Sequence, residues 1–432
     1  MCNSSPAAER PTAASFALLV GIDWAQQKHD VQWLAPDGRT GHRVVEHSPE
    51  AFESLLAELQ QFAGGGSVAI VLERSRGALQ YALLNRAGIT VYPVDPKQFA
   101  AYRQSFTSGG AKADRTDAAL LVRMLAERAD QLRPWRPDDE LTRRLAHLCQ
   151  ARRQLVEEAT RLKQQLQAWL HVGWPLLLEL ASVESPFVEE VLRRFDDPAA
   201  LRRAHPQTLR ALVRRHLAKS DEKIEELVQR IRKCPLLVQD PPILEATRMQ
   251  ALVAAWQLRE VLKGVEELEQ KIDQAMAAHP DAALFRALPG AGRALAPRLL
   301  AAFGSDRTRY ANAEEVTVLS GIAPVEKQSG KSRVVVRRRA CSRYLKQTFH
   351  EFADHARKWC PWSRAYYAWQ RAKNVGHHAA VRKLASRWIR VLFRIWKSRA
   401  PYDPDRYLQS LRNHQHPCLA FLPQPIPAPT HT

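Results

Sequence analysis

The sequence predicts an α/β domain at the N-terminal end, a long helical region in the middle and a mainly helical C-terminal domain. Strand and helix patterns alternate over the first 135 residues. Apolar residues then recur every three to four positions from 138 to about 281, and basic, tryptophan-rich helical segments follow residue 342. With 432 residues, the chain is long enough for two or three domains with separate cores.

The N-terminal domain, predicted over 16–135, begins with the buried strand FALLVGID. Two half-exposed strands follow, joined at Asp37-Gly38, a dipeptide typical of tight hairpins. A helix opened by a Ser-Pro pair leads to the strand VAIVLE, which ends at Glu73. A second helix, the strand ITVYPVDP and two more helices complete the domain. Three strands in a meander, then two strands reached through helices, predict a ribonuclease-H-like fold.

The middle region, 138–281, is rich in Leu, Arg, Glu and Gln with helical apolar spacing, which predicts long amphipathic helices in a coiled coil or an antiparallel hairpin. Prolines such as Pro175 and Pro186 break these helices. We expect this region to separate its flanking domains or to dimerise the chain.

The C-terminal domain is predicted over 284–400. The segment LPGAGRALAPRLLAAFG has the form of a helix-hairpin-helix whose turn, Pro289 to Gly292, would direct backbone N–H groups at a DNA phosphate. An ordinary turn between helices fits the segment equally well. Further on, Ser329-Gly330 predicts a turn before a short basic strand. Residues 1–15 and the tail 401–432, with its Pro-rich end, are expected to be flexible.

Charge and composition narrow the classes of partner. The formal charge is +19, and residues 321–400 hold 20 Lys+Arg against 3 Asp+Glu, a net of +17. Such a block predicts a polyanionic partner. Five tryptophans lie in the same stretch, and we expect most of their rings in a core rather than stacked on bases. The six scattered cysteines argue against disulfides or zinc, and no apolar run is long enough for a membrane span, so we expect a cytoplasmic protein.

Four acidic residues fall where a ribonuclease-H-like sheet would bring them together. Asp23 ends the first strand, Glu73 ends the fourth, and Asp114 and Asp117 lie one turn apart on a helix. Four convergent carboxylates repel one another unless cations neutralise them, and two Mg²⁺ ions bound to such oxygens can activate a phosphodiester. The residue preferences of helix N-termini also allow a simpler role, since Asp114 could cap its helix with Asp117 as the acid of a capping box. The two roles of Asp114 are compatible.

Several segments resemble one known family. GIDWAQQKHDV, VLERSRG, ITVYPVDPKQFAAYR and SGGAKADRTDAALL are similar to the Asp-Glu-Asp-Asp (DEDD) domain of insertion-sequence transposases with a RuvC-like catalytic domain. LPGAGRALAPRLLAAFG and VLSGIAPVEKQSGKS resemble the C-terminal domain of the same family. The resemblance covers roughly 16–135 and 284–400. VLERSRG departs from the family's usual Glu-Ala-Thr-Gly-x-Tyr, a change that keeps the acid and replaces the residues after it. The chain is also longer than is typical of the family, mostly in the helical middle region.

The resemblance implies a DNA transposase or recombinase whose four acids, Asp23, Glu73, Asp114 and Asp117, bind Mg²⁺. It also implies a serine nucleophile, which falls on Ser329, although Ser332 and Ser320 are close by. Further implied partners are the DNA of the element ends and target, a structured non-coding bridge RNA, and other copies of the chain in a dimer or tetramer. No membrane partner is implied.

Cationic side chains around Ser329 would bind DNA phosphates and stabilise charge on a reacting phosphorus. The candidate nucleic-acid contacts are Lys327, Lys331, Arg333, Arg337, Arg338, Arg339 and Arg343, together with Gly290 and Gly292. Two other functions fit the same residues. One is a RuvC-like, structure-selective endonuclease that uses metal-activated water, and the other is a nucleic-acid-binding protein without catalytic activity.

Overall fold

The computed structural model describes residues 11–73, 78–84, 86–106, 114–217, 219–330 and 332–422. The side chains of residues 78, 114–116, 327 and 329 lie outside this description. The chain divides into two compact units, of which the first ends at Pro137 and the second begins at Asp138. No helix in the described ranges is long and apolar enough to cross a membrane.

The first unit contains a five-stranded sheet in the order β3-β2-β1-β4-β5. Its strands are β1 (Leu18–Trp24), β2 (Lys28–Leu34), β3 (Thr40–Glu46), β4 (Val68–Glu73) and β5 (Ile89–Val94). The first three form an antiparallel meander, while β4 and β5 run parallel to β1. The helices are α1 (Pro49–Phe62), α2 (Ala78–Ala82), α3 (Pro96–Gln104) and α4 (Asp114–Arg128). This order is the predicted one and is compatible with a ribonuclease-H-like domain.

Strand alternation divides the apolar residues of this sheet between two cores. Val20 and Ile22 of β1 pack with residues of α1 such as Leu55. On the other face, Leu19 of β1 and Val71 of β4 pack with residues of α4. The sheet is therefore covered on both faces, and the alternation fixes which side each strand residue presents.

The second unit is organised around two long helices, α5 (Glu140–Gly173) and α11 (Pro241–Ala278). They run antiparallel, because Cys149 near the start of α5 packs with Met276 near the end of α11, whereas Gly173 at the end of α5 lies against Thr247. Five short helices connect them: α6 (Pro175–Leu180), α7 (Pro186–Arg194), α8 (Pro198–Arg203), α9 (Pro206–Leu217) and α10 (Asp221–Lys233). The predicted breaks at Pro175 and Pro186 are confirmed, since each residue begins a helix.

The remaining elements of the second unit are α12 (Ala282–Arg286), α13 (Gly292–Phe303), α14 (Ala313–Leu319), β6 (Val325–Ser329), β7 (Ser332–Val336), α15 (Arg343–Trp359), α16 (Pro361–Ala372), α17 (His377–Ser398) and α18 (Pro404–Asn413). One core joins these helices to the first turns of α5 and the last turns of α11. A separate core holds the short helices α6 to α10 against the middle of the same two long helices. The long helices thus belong to both cores.

The described parts of the two ends, which the sequence predicts to be flexible, contain regular structure. Residues 401–422 contain α18 and a 3-10 turn, Pro417–Phe421, with Leu411 and Cys418 buried in the core. At the other end, Ala13–Ser15 form a 3-10 turn, and Ala17 N–H donates to Ser67 O at 2.8 Å. Apolar burial and backbone hydrogen bonds order these segments despite their polar, Pro-rich composition. The prediction for 1–10 and for 423–432 falls outside the described residues.

Tyr402 gives a direct test of the ordered tail. Its hydroxyl accepts a 2.7 Å hydrogen bond from Nε1 of the buried Trp362. Tyr402→Phe leaves that N–H without an acceptor, so we expect the free energy of unfolding to fall by about 1–3 kcal/mol in urea denaturation. Tyr407→Phe is the matched control, because the Tyr407 ring also packs against Trp362, with 4.3 Å between the ring centroids. Equal losses for both variants would contradict a specific role for the Tyr402 hydroxyl.

Candidate metal and strand-transfer site

Asp23 and Glu73 lie at the carboxyl ends of neighbouring parallel strands. The register pairs Ile22 of β1 with Leu72 of β4, so the next residues, Asp23 and Glu73, are adjacent across the sheet. Residues that follow a registered pair share a face, and here it is the face that packs against α4. Both carboxylates are only partly exposed. Two of the four predicted acids are therefore brought together by strand pairing alone.

Gly21 allows α4 to approach this end of β1. A Cβ atom at position 21 would lie 2.9 Å from the Val122 backbone nitrogen and closer still to the Ala118 carbonyl oxygen. Only a residue without a side chain fits between the strand and the helix backbone. Because Gly21 and Asp23 are on the same face of β1, this contact brings the first turns of α4 toward Asp23.

Asp117 is buried in the second turn from the start of α4, with 3% of its surface exposed. Its Oδ2 accepts a 2.7 Å hydrogen bond from Nη1 of Arg103, on α3. Its Oδ1 is buried and has no hydrogen-bond partner among the described residues. A capping-box acid would bond back to the helix start, so this geometry argues against that role for Asp117. Asp114 is the first residue of α4, but its side chain lies outside the description.

The donors at this end of the sheet suit a hard divalent cation. Carboxylate oxygens are the ligands that Mg²⁺ and Ca²⁺ prefer, and an unpartnered, buried carboxylate oxygen is costly unless a cation meets it. Asp117 Oδ1 is such an atom. Among the described side chains, which include Asp23, Glu73 and Asp117 but not Asp114, no three His, Cys, Asp or Glu lie close enough together to hold a metal.

Arg103 was not predicted as part of this site. It is held beside Asp117 by its neighbour Tyr102, whose hydroxyl donates a 2.8 Å hydrogen bond to Glu127 of α4. Burial and the adjacent Glu127 carboxylate raise the pKa of Tyr102 to about 12, so the hydroxyl keeps its proton. Arg103 thus places a positive charge next to a carboxylate that sequence reasoning assigned to a metal. Nothing in the local pattern KQFAAYR distinguishes this arginine from others.

Asp30 is a second residue that sequence reasoning missed. It pairs with Asp23 across β1 and β2 and so lies on the same face of the sheet. Its Oδ1 is 2.7 Å from His42 Nε2 on β3. Three neighbouring strands therefore carry an acid at this end, and one of these acids is bound to a histidine.

The Gly21 contact predicts a strong effect of a small change. Gly21→Val places a branched side chain against the Ala118 carbonyl, so the helix must move away from the sheet. We expect the first unit to lose about 1–3 kcal/mol of stability, and cleavage to fall because Asp117 is displaced from Asp23. Gly376→Ala is the control for the loss of a glycine, since position 376 has no positive φ and a Cβ there meets no atom within 4 Å. If Gly21→Val cuts DNA at the normal rate, the close approach is not needed.

The predicted turn at Ser329-Gly330 lies in a two-stranded hairpin. β6 and β7 pair antiparallel, and Ser329 opposite Ser332 is the last pair before the turn. Gly330 has φ +55°, a backbone conformation that suits glycine. The hairpin protrudes: Val334 and Val335 are 51% and 59% exposed. The Ser329 hydroxyl lies outside the described side chains.

Ser320 and Ser332, the two serines near Ser329 in the sequence, differ in their exposure to solvent. Ser320 is fully buried at the end of α14, and its hydroxyl donates to the Thr317 carbonyl at 3.2 Å. It is therefore not available to a DNA strand. Ser332 is exposed, directly across the hairpin from Ser329.

The predicted basic residues are distributed around this hairpin. Arg333 pairs with Glu326 on the opposite strand at 2.7 Å, with both side chains more than half exposed. Arg337 and Arg339 are exposed, whereas Arg338 is half-buried, with its carbonyl accepting from Lys346 Nζ at 2.6 Å. Arg343 is the first residue of α15 and is exposed. Lys331 and the Lys327 side chain lie outside the description.

The predicted turn at Pro289 to Gly292 connects α12 and α13. Gly290, at φ +77°, packs against α15, where a Cβ would lie 3.0 Å from the His355 carbonyl carbon. Gly292, at φ +53°, is exposed, and a Cβ there meets no atom within 4 Å. The two glycines thus have different surroundings, one packed and one open.

The tryptophans of the C-terminal region also divide into two groups. Trp362, Trp388 and Trp396 are buried, each with its indole N–H bonded, which confirms the core prediction for these rings. Trp369 packs against the same core while partly exposed. Trp359 is the exception, because 71% of its surface is exposed.

Comparison with protein families gives two matches in the order of the chain. Residues 20–175 match the DEDD transposase model, described as "Transposase". Residues 282–368 match a second model, described as "Transposase IS116/IS110/IS902 family". The first match contains the end of β1, the end of β4 and the start of α4. The second contains the Pro289–Gly292 turn and the β6–β7 hairpin.

Individual relatives match over nearly their full length. The "Mini-circle putative transposase for IS117" of Streptomyces coelicolor is 25% identical over 91% of this chain and 97% of its own. The "Insertion element IS110 uncharacterized 43.6 kDa protein" of the same organism is 27% identical over 89% and 95%. The "Insertion element IS900 uncharacterized 42 kDa protein" of Mycobacterium paratuberculosis is 27% identical over 89% and 96%.

Proposed function

We propose that this chain is a transposase of the IS116/IS110/IS902 family, whose models match residues 20–175 and 282–368, and that it moves an insertion sequence by a metal-assisted, serine-dependent exchange of DNA strands guided by a structured RNA. Its enzyme class is that of a DNA transposase, and the DEDD match indicates dependence on a divalent metal. The observation that carries the proposal is the convergence of Asp23, Glu73 and α4 at one end of the sheet, with Asp117 Oδ1 unpartnered among the described residues.

The metal in this proposal is Mg²⁺, held by Asp23, Glu73, Asp114 and Asp117. When bound, it would withdraw electron density from the scissile phosphate and stabilise the oxygen that leaves. The chain's own part is to hold the carboxylates in place. Pairing of β1 with β4 positions two of them, and the contact at Gly21 positions α4. Arg103 neutralises part of the charge of Asp117.

The nucleophile in this proposal is the Ser329 hydroxyl. Its oxygen bonds to phosphorus, the phosphorus–oxygen bond to one deoxyribose breaks, and the serine proton ends on the departing deoxyribose oxygen. The hydroxyl of another strand then reverses the step, so the number of phosphodiester bonds is conserved and no external energy is required. A protruding hairpin with exposed basic neighbours supports this role, because it gives a DNA strand access from both sides.

DNA binding in this proposal uses the basic residues of the C-terminal region, including Lys327, Lys331, Arg333 and Arg337 to Arg339. The Gly292 end of the helix-hairpin-helix-like turn adds backbone donors for phosphate. The excess of 20 Lys+Arg over 3 Asp+Glu in 321–400 supports a polyanionic partner. Such contacts should give affinity for DNA and for a guide RNA that falls steeply with salt.

Self-association is also part of the proposal, in a dimer or tetramer. Met249, Val253 and Trp256 are 51%, 47% and 52% exposed and recur at helical spacing along α11. This stripe is suited to packing, as a coiled coil, against the same stripe of a second copy.

The test is to purify the chain from cells that carry its element, sequence the RNA that copurifies, and combine this complex with donor and target DNA. We expect one defined, structured RNA, joined donor–target products in Mg²⁺, and loss of those products after treatment with EDTA or ribonuclease. Random RNA fragments together with ribonuclease-resistant activity would contradict RNA guidance. Absence of joined products under every condition would contradict strand exchange.

A further inference from the structure

Trp359, the last residue of α15, is a large aromatic side chain left open on a basic surface. It is 71% exposed, whereas Trp362, three residues later, is 1% exposed. Tryptophan is a costly residue to expose, and open aromatic rings on a protein surface mark sites of binding. The exposed indole therefore offers an aromatic surface on which a ligand can stack.

The surroundings of Trp359 include the exposed side of the α12–α13 turn. A Cβ at Gly290 would lie 3.0 Å from Cδ1 of Trp359, so the turn is in contact with the edge of the indole, and glycine leaves the ring uncovered. Immediately after, α13 begins at Gly292. The first amides of a helix have no intrahelical acceptor, and Ala291, at the cap, offers no side-chain hydrogen bond. The start of α13 thus follows directly on the turn that touches the edge of the indole.

The charge around the ring favours a polyanion over a protein. From 355 to 402 the sequence has 12 Lys+Arg and no Asp or Glu. Arg364 donates a 2.7 Å hydrogen bond to the Lys358 carbonyl, which places its guanidinium at the same end of α15 as Trp359. Cores of protein interfaces are depleted of charge, whereas aromatic rings among cations are typical of sites for unpaired nucleotides.

We infer that Trp359 stacks on an unpaired base of the DNA substrate. The inference rests on the proposed function, which supplies DNA as the partner, and adds a contact that requires an unpaired nucleotide. Exchange of DNA strands passes through such nucleotides, because a strand must leave its complement before it joins another. The contact is indifferent to base identity, since every base has a π face.

The experiment compares Trp359→Leu and Trp359→Phe with the wild-type chain in fluorescence anisotropy titrations. The probes are a labelled 30-base-pair DNA duplex, the same duplex with three central mismatches, and a single-stranded RNA of the same sequence. We expect Trp359→Leu to bind the mismatched duplex about ten-fold more weakly and the perfect duplex equally well, and Trp359→Phe to stay close to wild type. Leu237→Ala, at an apolar residue 77% exposed, is the control for removal of surface apolar area.

Four results would overturn the inference: unchanged affinity of Trp359→Leu for the mismatched duplex, an equal loss on both duplexes, a loss confined to the RNA, or a fall in the mass of the assembly measured by light scattering. A fall in mass would identify the ring as a contact between copies of the chain. The apolar leucine side chain would then keep part of that contact. If the wild-type chain binds none of the DNA probes, the proposed function itself fails, which is a separate result.

Discussion

The Asp117→Asn protein is expected to fold and to cut no DNA. Asn keeps the shape of the side chain but removes the charge that a divalent cation requires. Loss of a metal ligand forfeits several kcal/mol of charge stabilisation, so strand cleavage should fall by on the order of 10³-fold. Quantified nicking of a supercoiled plasmid in Mg²⁺ measures this loss.

Thermal unfolding separates a metal site from a merely structural acid. Without metal, Asp117→Asn removes one of several neighbouring negative charges, while Arg103 keeps a polar partner, so we expect only a small change in Tm. A ligand that binds the native state alone raises Tm, so Mg²⁺ should stabilise the wild-type chain, and much less so the variant. Asp37→Asn is the matched control, since Asp37 lies on the exposed β2–β3 turn of the same unit.

Two outcomes would contradict the metal role. If Asp117→Asn cleaves DNA at the wild-type rate, the acid has only a structural role in the Arg103 pair. If the metal-free variant unfolds so easily that its unfolded fraction accounts for the lost cleavage, the pair with Arg103 explains the whole effect. Arg103→Gln distinguishes the cases further, because it removes the ion pair while leaving all four carboxylates in place.

The order of the N-terminal sheet followed from local patterns. A buried run, two half-exposed strands joined at Asp37-Gly38, and later strands bounded by glycine are signals carried by neighbouring residues. The ends of β1 and β4 then fix the positions of Asp23 and Glu73, because parallel strands share an edge. The positions of Asp23 and Glu73 were therefore open to prediction, whereas the Asp114 side chain lies outside the described part of the chain.

The rest depended on contacts between residues far apart in the sequence. Arg103 is one of 64 Lys+Arg, and only the packing of α3 on α4 selects it as the partner of Asp117. Tyr402 lies in a segment whose prolines suggested disorder, yet Trp362, forty positions away, requires its hydroxyl. The exposure of Trp359 likewise depends on where α15 ends relative to the α12–α13 turn.

Ser329→Ala is expected to abolish the covalent step without disturbing the hairpin. Ser329 and Ser332 form the last pair before the turn, and alanine at either position leaves the backbone pairing intact. If the Ser329 oxygen is the nucleophile, wild-type protein incubated with labelled DNA should yield an adduct that survives denaturing electrophoresis. The Ser329→Ala lane should contain none, and joined products should fall below detection.

Ser332→Ala is the matched control, because it removes a serine hydroxyl from the opposite strand of the same hairpin. Its adduct should form at close to the normal rate. The reverse pattern, with the adduct lost only in Ser332→Ala, would move the nucleophile across the turn. Cleaved ends without any adduct in the wild-type reaction would instead favour hydrolysis by metal-activated water, since an attacking water leaves no protein on the DNA. Because the two serines are paired across the same turn, a difference between the two variants would show which hydroxyl reaches the phosphorus.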